Sequence, residues 1–198
     1  MQATQPRGTT AILQVYFGPM GSGKTTRALE QVSQFIALGF TTAYITSKLE
    51  EGRAEQDHVF YSHNKSGAQL KQECTTLRCT ILPEIPPLTA EVVVIDEAQF
   101  FSNLVPAVKG YISQGKRVQV YGLASDFKGD KFGSIVDLIS FADVAVQMTA
   151  KCARCSSESR TIVPASFTDR NGDKNEVISV GGMAEYTPVC RYHHSRLN

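Results

Sequence analysis

The sequence has no apolar run approaching the roughly 20 residues needed to cross a bilayer. It also has no internal repeat and no low-complexity tract, which removes solenoids and biased linkers from consideration. Charge imbalance is nearly absent. Twenty Lys and Arg stand against 19 Asp and Glu, a formal +1, so no broad basic field for nucleic acid is present. The cysteines are too few and too odd for a disulfide scaffold. There are five, three of them in a metal-like pattern, and the expected setting is a reducing cytosol. Met1–Thr10 is polar, contains Gly and Pro, and lacks the apolar core of a signal peptide, so it reads as a flexible arm. The 198 residues suffice for one substantial α/β domain with a small appendage.

What is present begins with Gly18-Pro19-Met20-Gly21-Ser22-Gly23-Lys24-Thr25. An apolar strand, Ala11–Phe17, leads into it and a helix-like run follows, the context that turns G-x-x-x-x-G-K-[ST] into a phosphate cradle rather than a chance glycine-rich turn. Backbone N–H groups of Gly21, Gly23 and Lys24 are expected to hold the β-phosphate, helped by the positive end of the following helix. The Lys24 amine suits the β- and γ-phosphates and the Thr25 hydroxyl suits Mg²⁺. The loop implies a nucleoside triphosphate but not the fate of its phosphate.

Short β-branched runs alternate with helical stretches, which predicts a parallel sheet flanked by helices. Strands are expected near Ile12–Phe17, Thr42–Thr46, Thr75–Leu82, Val92–Asp96, Val118–Leu123 and Asp143–Met148. A helix is expected from Lys24 to about Leu38, with Leu29, Val32, Phe35 and Ile36 as its apolar stripe and Gly39 as its stop. Others are expected near Gly67–Gln72, Leu104–Gln114 and Ile135–Phe141, while Pro83-Glu84-Ile85-Pro86-Pro87 reads as a loop. The character changes after about Thr149. The expected organisation is an arm at 1–10, a P-loop ATP-binding α/β domain at 11–149 and a metal-closed unit at 150–198, with a hairpin turn at Asn171-Gly172.

Val92-Val93-Val94-Ile95-Asp96-Glu97 reads as a buried parallel strand ending in two carboxylates, at the strand end where such sheets bind ligands. Asp96 fits the magnesium side of the site. Successive strand residues point to opposite faces, which leaves Glu97 free to take a proton from the attacking nucleophile. That nucleophile is either water, for a hydrolase, or an alcohol, for a kinase.

Cys152-Ala153-Arg154-Cys155 and Cys190-Arg191-Tyr192-His193 supply three thiolates and one imidazole, the closed set of a structural Zn²⁺ site, with His194 a worse-spaced alternative to His193. A redox pair at Cys152 and Cys155 is the other reading, weakened by the matching second pair. Cys74 and Cys79 read as core or surface residues, and His58 and His63 as ordinary polar-loop residues.

These residues together resemble the type II, cytosolic thymidine kinases. The likeness runs from Val15 to His194 and rests on Gly18–Thr25, Ile95-Asp96-Glu97-Ala98-Gln99-Phe100-Phe101, Lys131-Phe132-Gly133, the two metal pairs and Gly181-Gly182-Met183-Ala184-Glu185-Tyr186. The resemblance implies a P-loop, RecA-like parallel sheet with a small C-terminal zinc-binding lasso over the nucleoside. It implies transfer of the γ-phosphoryl of ATP to the 5′-hydroxyl of thymidine, with deoxyuridine as a second substrate, in pyrimidine salvage. Gly18, Met20, Gly21, Ser22, Gly23, Lys24, Thr25 and Thr26 would then bind ATP, Thr25 and Asp96 the Mg²⁺, and Glu97 would be the general base. Phe100, Leu123, Phe127, Phe132, Thr161, Val177, Ser179 and Tyr186 would hold the nucleoside.

Many members carry Asp-x-Arg-Tyr after the second strand. Here Ser47–Ala54 contains no Tyr, and Arg53 is the residue matched to a phosphate contact. Ser179 stands where several relatives have a β-branched apolar residue. By resemblance the protein is a cytoplasmic homotetramer inhibited by dTTP, with no nucleic-acid or membrane partner. The contrasting reading is a P-loop ATPase that grips nucleic acid through the zinc knuckle; a nucleotide-binding module without turnover conflicts with intact Lys24, Asp96 and Glu97.

Overall fold

The structure, a computed structural model, describes residues 11–48, 74–83, 89–171 and 185–194. Arg53, His58, His63, Val177, Ser179, Gly172 and the helix expected at 67–72 lie outside the described residues, as does the arm at 1–10.

Six strands form one parallel sheet: β1 (Ile12–Phe17), β2 (Thr42–Ser47), β3 (Thr75–Cys79), β4 (Val92–Ile95), β5 (Arg117–Gly122) and β6 (Val144–Gln147), in the order β3-β2-β4-β5-β1-β6. Register is continuous across the middle, with Val94 opposite Tyr44 and Gln119, and Gln119 opposite Gln14. Both faces are covered, as all-parallel sheets require. On one face Leu13, Val15, Ile45, Val93, Ile95, Val118 and Val120 pack with Leu104, Val108 and Tyr111 of α2 (Leu104–Ser113). On the other, Tyr16, Tyr44, Val92, Val94 and Tyr121 meet Ala28, Leu29 and Val32 of α1 (Lys24–Ala37). Phe35 and Ile36 extend the α1 stripe as partly buried residues.

Both helices stop by the same device. Phe40 N–H donates to the Phe35 carbonyl and Gly39 N–H to that of Ile36, while Lys116 donates to Tyr111 and Gly115 to Ile112. Gly39 and Gly115, at φ 80° and 79°, hold the left-handed turn this motif needs. In α1 the rings of Phe35 and Phe40 close it edge to face at 5.9 Å.

One expectation is corrected. The third strand ends at Cys79 rather than Leu82, because Leu82 turns to exchange hydrogen bonds with Asn103, N–H to Oδ1 at 3.0 Å and Nδ2 to carbonyl at 2.8 Å. The helix expected at Ile135–Phe141 is present as a 3₁₀ coil, burying Ile135 and Leu138 at its three-residue spacing.

Beyond β6 the chain forms β7 (Ala150–Lys151), α3 (Ala153–Ser159), β8 (Pro164–Ala165), β9 (Phe167–Arg170) and β10 (Tyr186–Val189). β7 pairs with β8 and β9 with β10, both antiparallel. The core here is small: Cys152, Cys155, Ala165, Val189 and Cys190.

Candidate functional site

The phosphate loop leaves the end of β1 and turns directly into α1, whose N-cap is Gly23. Gly18 N–H donates to the Gly122 carbonyl at 3.3 Å, and Ser22 N–H to Pro19 at 3.3 Å. Lys24 is buried, and its ammonium donates to the carbonyls of Gly18 (3.0 Å) and Pro19 (2.7 Å) and to Ser22 Oγ (3.4 Å). Burial lowers its pKa, opposed by the nearby charges of Glu97 and Asp96. The amine is therefore held inside the loop and faces two carboxylates.

Those carboxylates follow β4. Asp96 is buried, with its Oδ2 accepting the Tyr44 hydroxyl at 2.8 Å and its Oδ1 the Glu97 N–H at 2.9 Å. The nearby Thr25 hydroxyl favours its charged form. Burial, then the neighbouring Glu97 charge, push the Asp96 carboxyl up to about 6. Glu97 has a left-handed backbone, φ 51° and ψ 42°, at the start of the 3₁₀ turn Ala98–Phe100. That backbone ends the strand before Glu97. Its Oε2 accepts the Gln99 side-chain amide at 2.6 Å.

Aromatic groups gather beside the pair. Phe100 and Phe132 meet edge to face at 5.7 Å, and Phe132 N–H donates to the Ala124 carbonyl just past Leu123. Phe127 is buried. The Arg170 guanidinium lies 5.6 Å from the Phe127 ring and 5.7 Å from that of Tyr186, so β9 and β10 meet the loop after β5 through stacked charge and rings. Thr161 is exposed beside Ser159, its N–H on the Cys155 carbonyl. The threonine that reaches the phosphate loop is Thr168, whose Oγ1 accepts the Met20 N–H at 3.0 Å. Neither Thr168 nor Arg170 carries a local sequence signal. Gln99 did lie inside a quoted motif, and only its contacts reveal what it touches.

The four predicted metal ligands converge. Cys152, Cys155 and Cys190 Sγ and a His193 ring nitrogen all lie within 4.8 Å of one another. His193 Nδ1 is 3.6, 3.3 and 3.5 Å from the three sulfurs, and Cys155 and Cys190 sulfurs are 3.8 Å apart. A tetrahedron with Zn–S of about 2.3 Å and Zn–N of about 2.0 Å has edges of about 3.5–3.8 Å, so the donor set fits zinc. Glu158 Oε2 sits 3.1 Å from His193 Nε2, the outer carboxylate that orients a ligating imidazole. His194 instead packs its ring on Phe167 at 5.3 Å. Arg154, between the first two cysteines, donates to the His193 carbonyl (3.1 Å) and to buried Asp169 (2.9 Å). Asp169 adjoins Thr168, so hydrogen bonds run from the cysteine cluster through β9 to the phosphate loop. Elsewhere, burial raises the thiol pKa of Cys74 and of Cys79.

The profile of the family described as thymidine kinase matches residues 11–194. The chain belongs to the thymidine kinase family. It is 29% identical over 179 residues to the thymidine kinase of Fowlpox virus (strain NVSL), covering 90% of this chain and 94% of that one. It is 31% identical over 186 residues to the cytosolic thymidine kinase of Homo sapiens, covering 94% and 74%. Against the thymidine kinase of Oryza sativa subsp. japonica it is 32% identical over 193 residues, covering 92% and 65%.

Proposed function

We propose that the protein transfers the γ-phosphoryl group of ATP to the 5′-hydroxyl of thymidine, giving dTMP and ADP for nucleotide salvage. Family membership supports thymidine and ATP as the substrates. The observation that carries the chemistry is the buried Lys24 ammonium, bonded to the loop carbonyls of Gly18 and Pro19 and within electrostatic reach of Asp96 and Glu97, which sets the donor loop against the carboxylate pair.

N–H groups of Gly21, Gly23 and Lys24 hold the phosphates, together with Gly18, Met20, Ser22 and Thr26 of the same loop. The Lys24 amine exchanges loop carbonyls for β- and γ-oxygens. Thr25 and Asp96 would hold Mg²⁺, which neutralises phosphate charge when bound. Glu97 takes the proton of the 5′-hydroxyl as its oxygen bonds to Pγ, and the bond from Pγ to the bridging oxygen breaks to release ADP. Phe100, Leu123, Phe127 and Phe132 enclose the base in a flat apolar slot, with Tyr186 against the sugar and base. Val177 and Ser179 belong to the same set by resemblance, as does Arg53 for a phosphate. Cys152, Cys155, Cys190 and His193 bind one Zn²⁺ and fasten the unit at 150–198 that covers the nucleoside, apart from the ATP-binding unit at 11–149. A lid of this kind keeps water from competing with the alcohol.

Among the described residues no helix is long and apolar enough to cross a membrane, and relatives are named cytosolic; a cytoplasmic homotetramer inhibited by dTTP belongs to this reading. The test is a panel of deoxynucleosides with ATP, measuring nucleoside monophosphate formed. ATP consumption should require thymidine and proceed more slowly with deoxyuridine. Turnover that ignores nucleosides and rises with DNA would overturn it.

A further inference from the structure

Gln99 is 4% exposed and its amide spans two elements. The Oε1 accepts the Leu123 N–H at 2.9 Å, and the Nε2 donates to Glu97 Oε2 at 2.6 Å. The partners fix the orientation of the amide: a backbone N–H must meet the oxygen, so the NH₂ group faces the carboxylate. Two glycines leave it room. A methyl group on Gly122 would lie 2.7 Å from Gln99 Oε1, and one on Gly133, itself at φ 64°, would collide with the Gln99 backbone. Substitution at either glycine would push this side chain or its backbone out of place.

We propose that Gln99 is a positioning residue that aims the Glu97 carboxylate and ties it to the loop after β5. The proposal rests on reading Glu97 as the acceptor of the 5′-hydroxyl proton. A carboxylate on a left-handed backbone at the end of a strand has no helix or sheet neighbour to set its direction. The charged groups that face it, Asp96 and Lys24, pull it in other ways, one by repulsion and one by attraction toward the phosphate loop. A neutral amide donor fixes one oxygen without adding charge. Its other end holds Leu123, so the base and one wall of the nucleoside slot keep a constant separation, which proximity effects demand.

The experiment uses the intact protein and radiolabelled thymidine. Gln99→Met keeps the volume and removes both hydrogen bonds. It should lower kcat about 10- to 100-fold while KM for ATP stays within about 2-fold, the pattern of an interaction needed at the reacting centre. In a Glu97→Gln background the same change should cost less than about 2-fold, because a lost base cannot be misaimed. Gly122→Ala, which displaces the amide without deleting it, carries the same two predictions if Gln99→Met does not fold. Thermal melting and ADP binding check folding of each variant. A full Gln99 loss repeated in the Glu97→Gln background, or an unchanged kcat, overturns the positioning role and leaves Glu97 as base intact. Near-normal turnover in Glu97→Gln alone overturns both.

Discussion

The sheet half and the cysteine half of this molecule are stabilised in different ways. The sheet half buries two apolar faces under α1 and α2 and needs no metal to close its core. Among the described residues the cysteine half has four very short strands, one short α-helix and a core of five buried residues, three of them cysteines. So little apolar area holds such a segment weakly, and the four converging ligands are placed to supply by coordination what burial does not. The contrast teaches that a segment with a small core can be fastened at its ends by a few strong anchors, the role proposed for the cysteine–histidine cluster.

The largest effect that could break this contrast is loss of the metal. Metal analysis should find about one zinc per chain, and chelation should unfold the cysteine half, since apparent zinc-binding energies in small domains reach about 10–16 kcal/mol. Hydrogen exchange should then rise across β7–β10 while β1, β4 and β5 stay protected. Deprotection of the whole sheet would show that the halves are one cooperative unit.

Next comes chemistry confined to the sheet half. Glu97→Gln should keep ADP binding and lose about 10²–10⁴-fold in kcat, measured by dTMP formation under saturating substrates.

A smaller effect probes the bridge between halves. Asp169→Asn breaks the ion pair to Arg154 and Thr168→Val removes the acceptor for Met20 N–H. Each should cost about 1–3 kcal/mol in thermal or denaturant melting and raise KM for ATP with zinc content unchanged. Unchanged KM in both would mean that the bridge is packing only.

The smallest effect has the opposite sign. Asp96 is raised from 3.8 to about 6, so the folded state holds its proton more tightly than the unfolded chain. Stability from this group is present below pH 4, falls as pH rises through about 6, and stays lost above. Asp96→Asn should therefore melt about 2–6 °C higher than wild type at pH 7.5, the gain vanishing toward pH 4, while turnover collapses.

Legibility from sequence followed the range of the interactions. The phosphate loop and the β4 carboxylates are local, and a strand, turn and helix start within 14 residues carry their own signals. The metal set spans 41 residues from Cys152 to His193, yet two-residue spacings made it readable because each pair must turn tightly. Thr168 was not readable: its partner Met20 is 148 residues away, and a threonine in a polar strand has no pattern of its own. The 3₁₀ form of Ile135–Phe141 was also hidden, since apolar residues three apart suit either coil. Strand order, with β5 between the loop strand β1 and the carboxylate strand β4, is a property of the assembled sheet.

The left-handed backbone at Glu97 has an evolutionary consequence. A non-glycine residue at φ 51° carries a standing strain of about 1–3 kcal/mol. Glycine would relieve it and asparagine would tolerate it, but glycine has no carboxylate and asparagine is one carbon shorter with a poorly basic amide. Every substitution that eases the fold at this position removes the reach or the charge that the proposed base needs. Mutational drift there is blocked in the direction that stability favours, so screens for heat resistance and screens for turnover should enrich opposite residues at position 97.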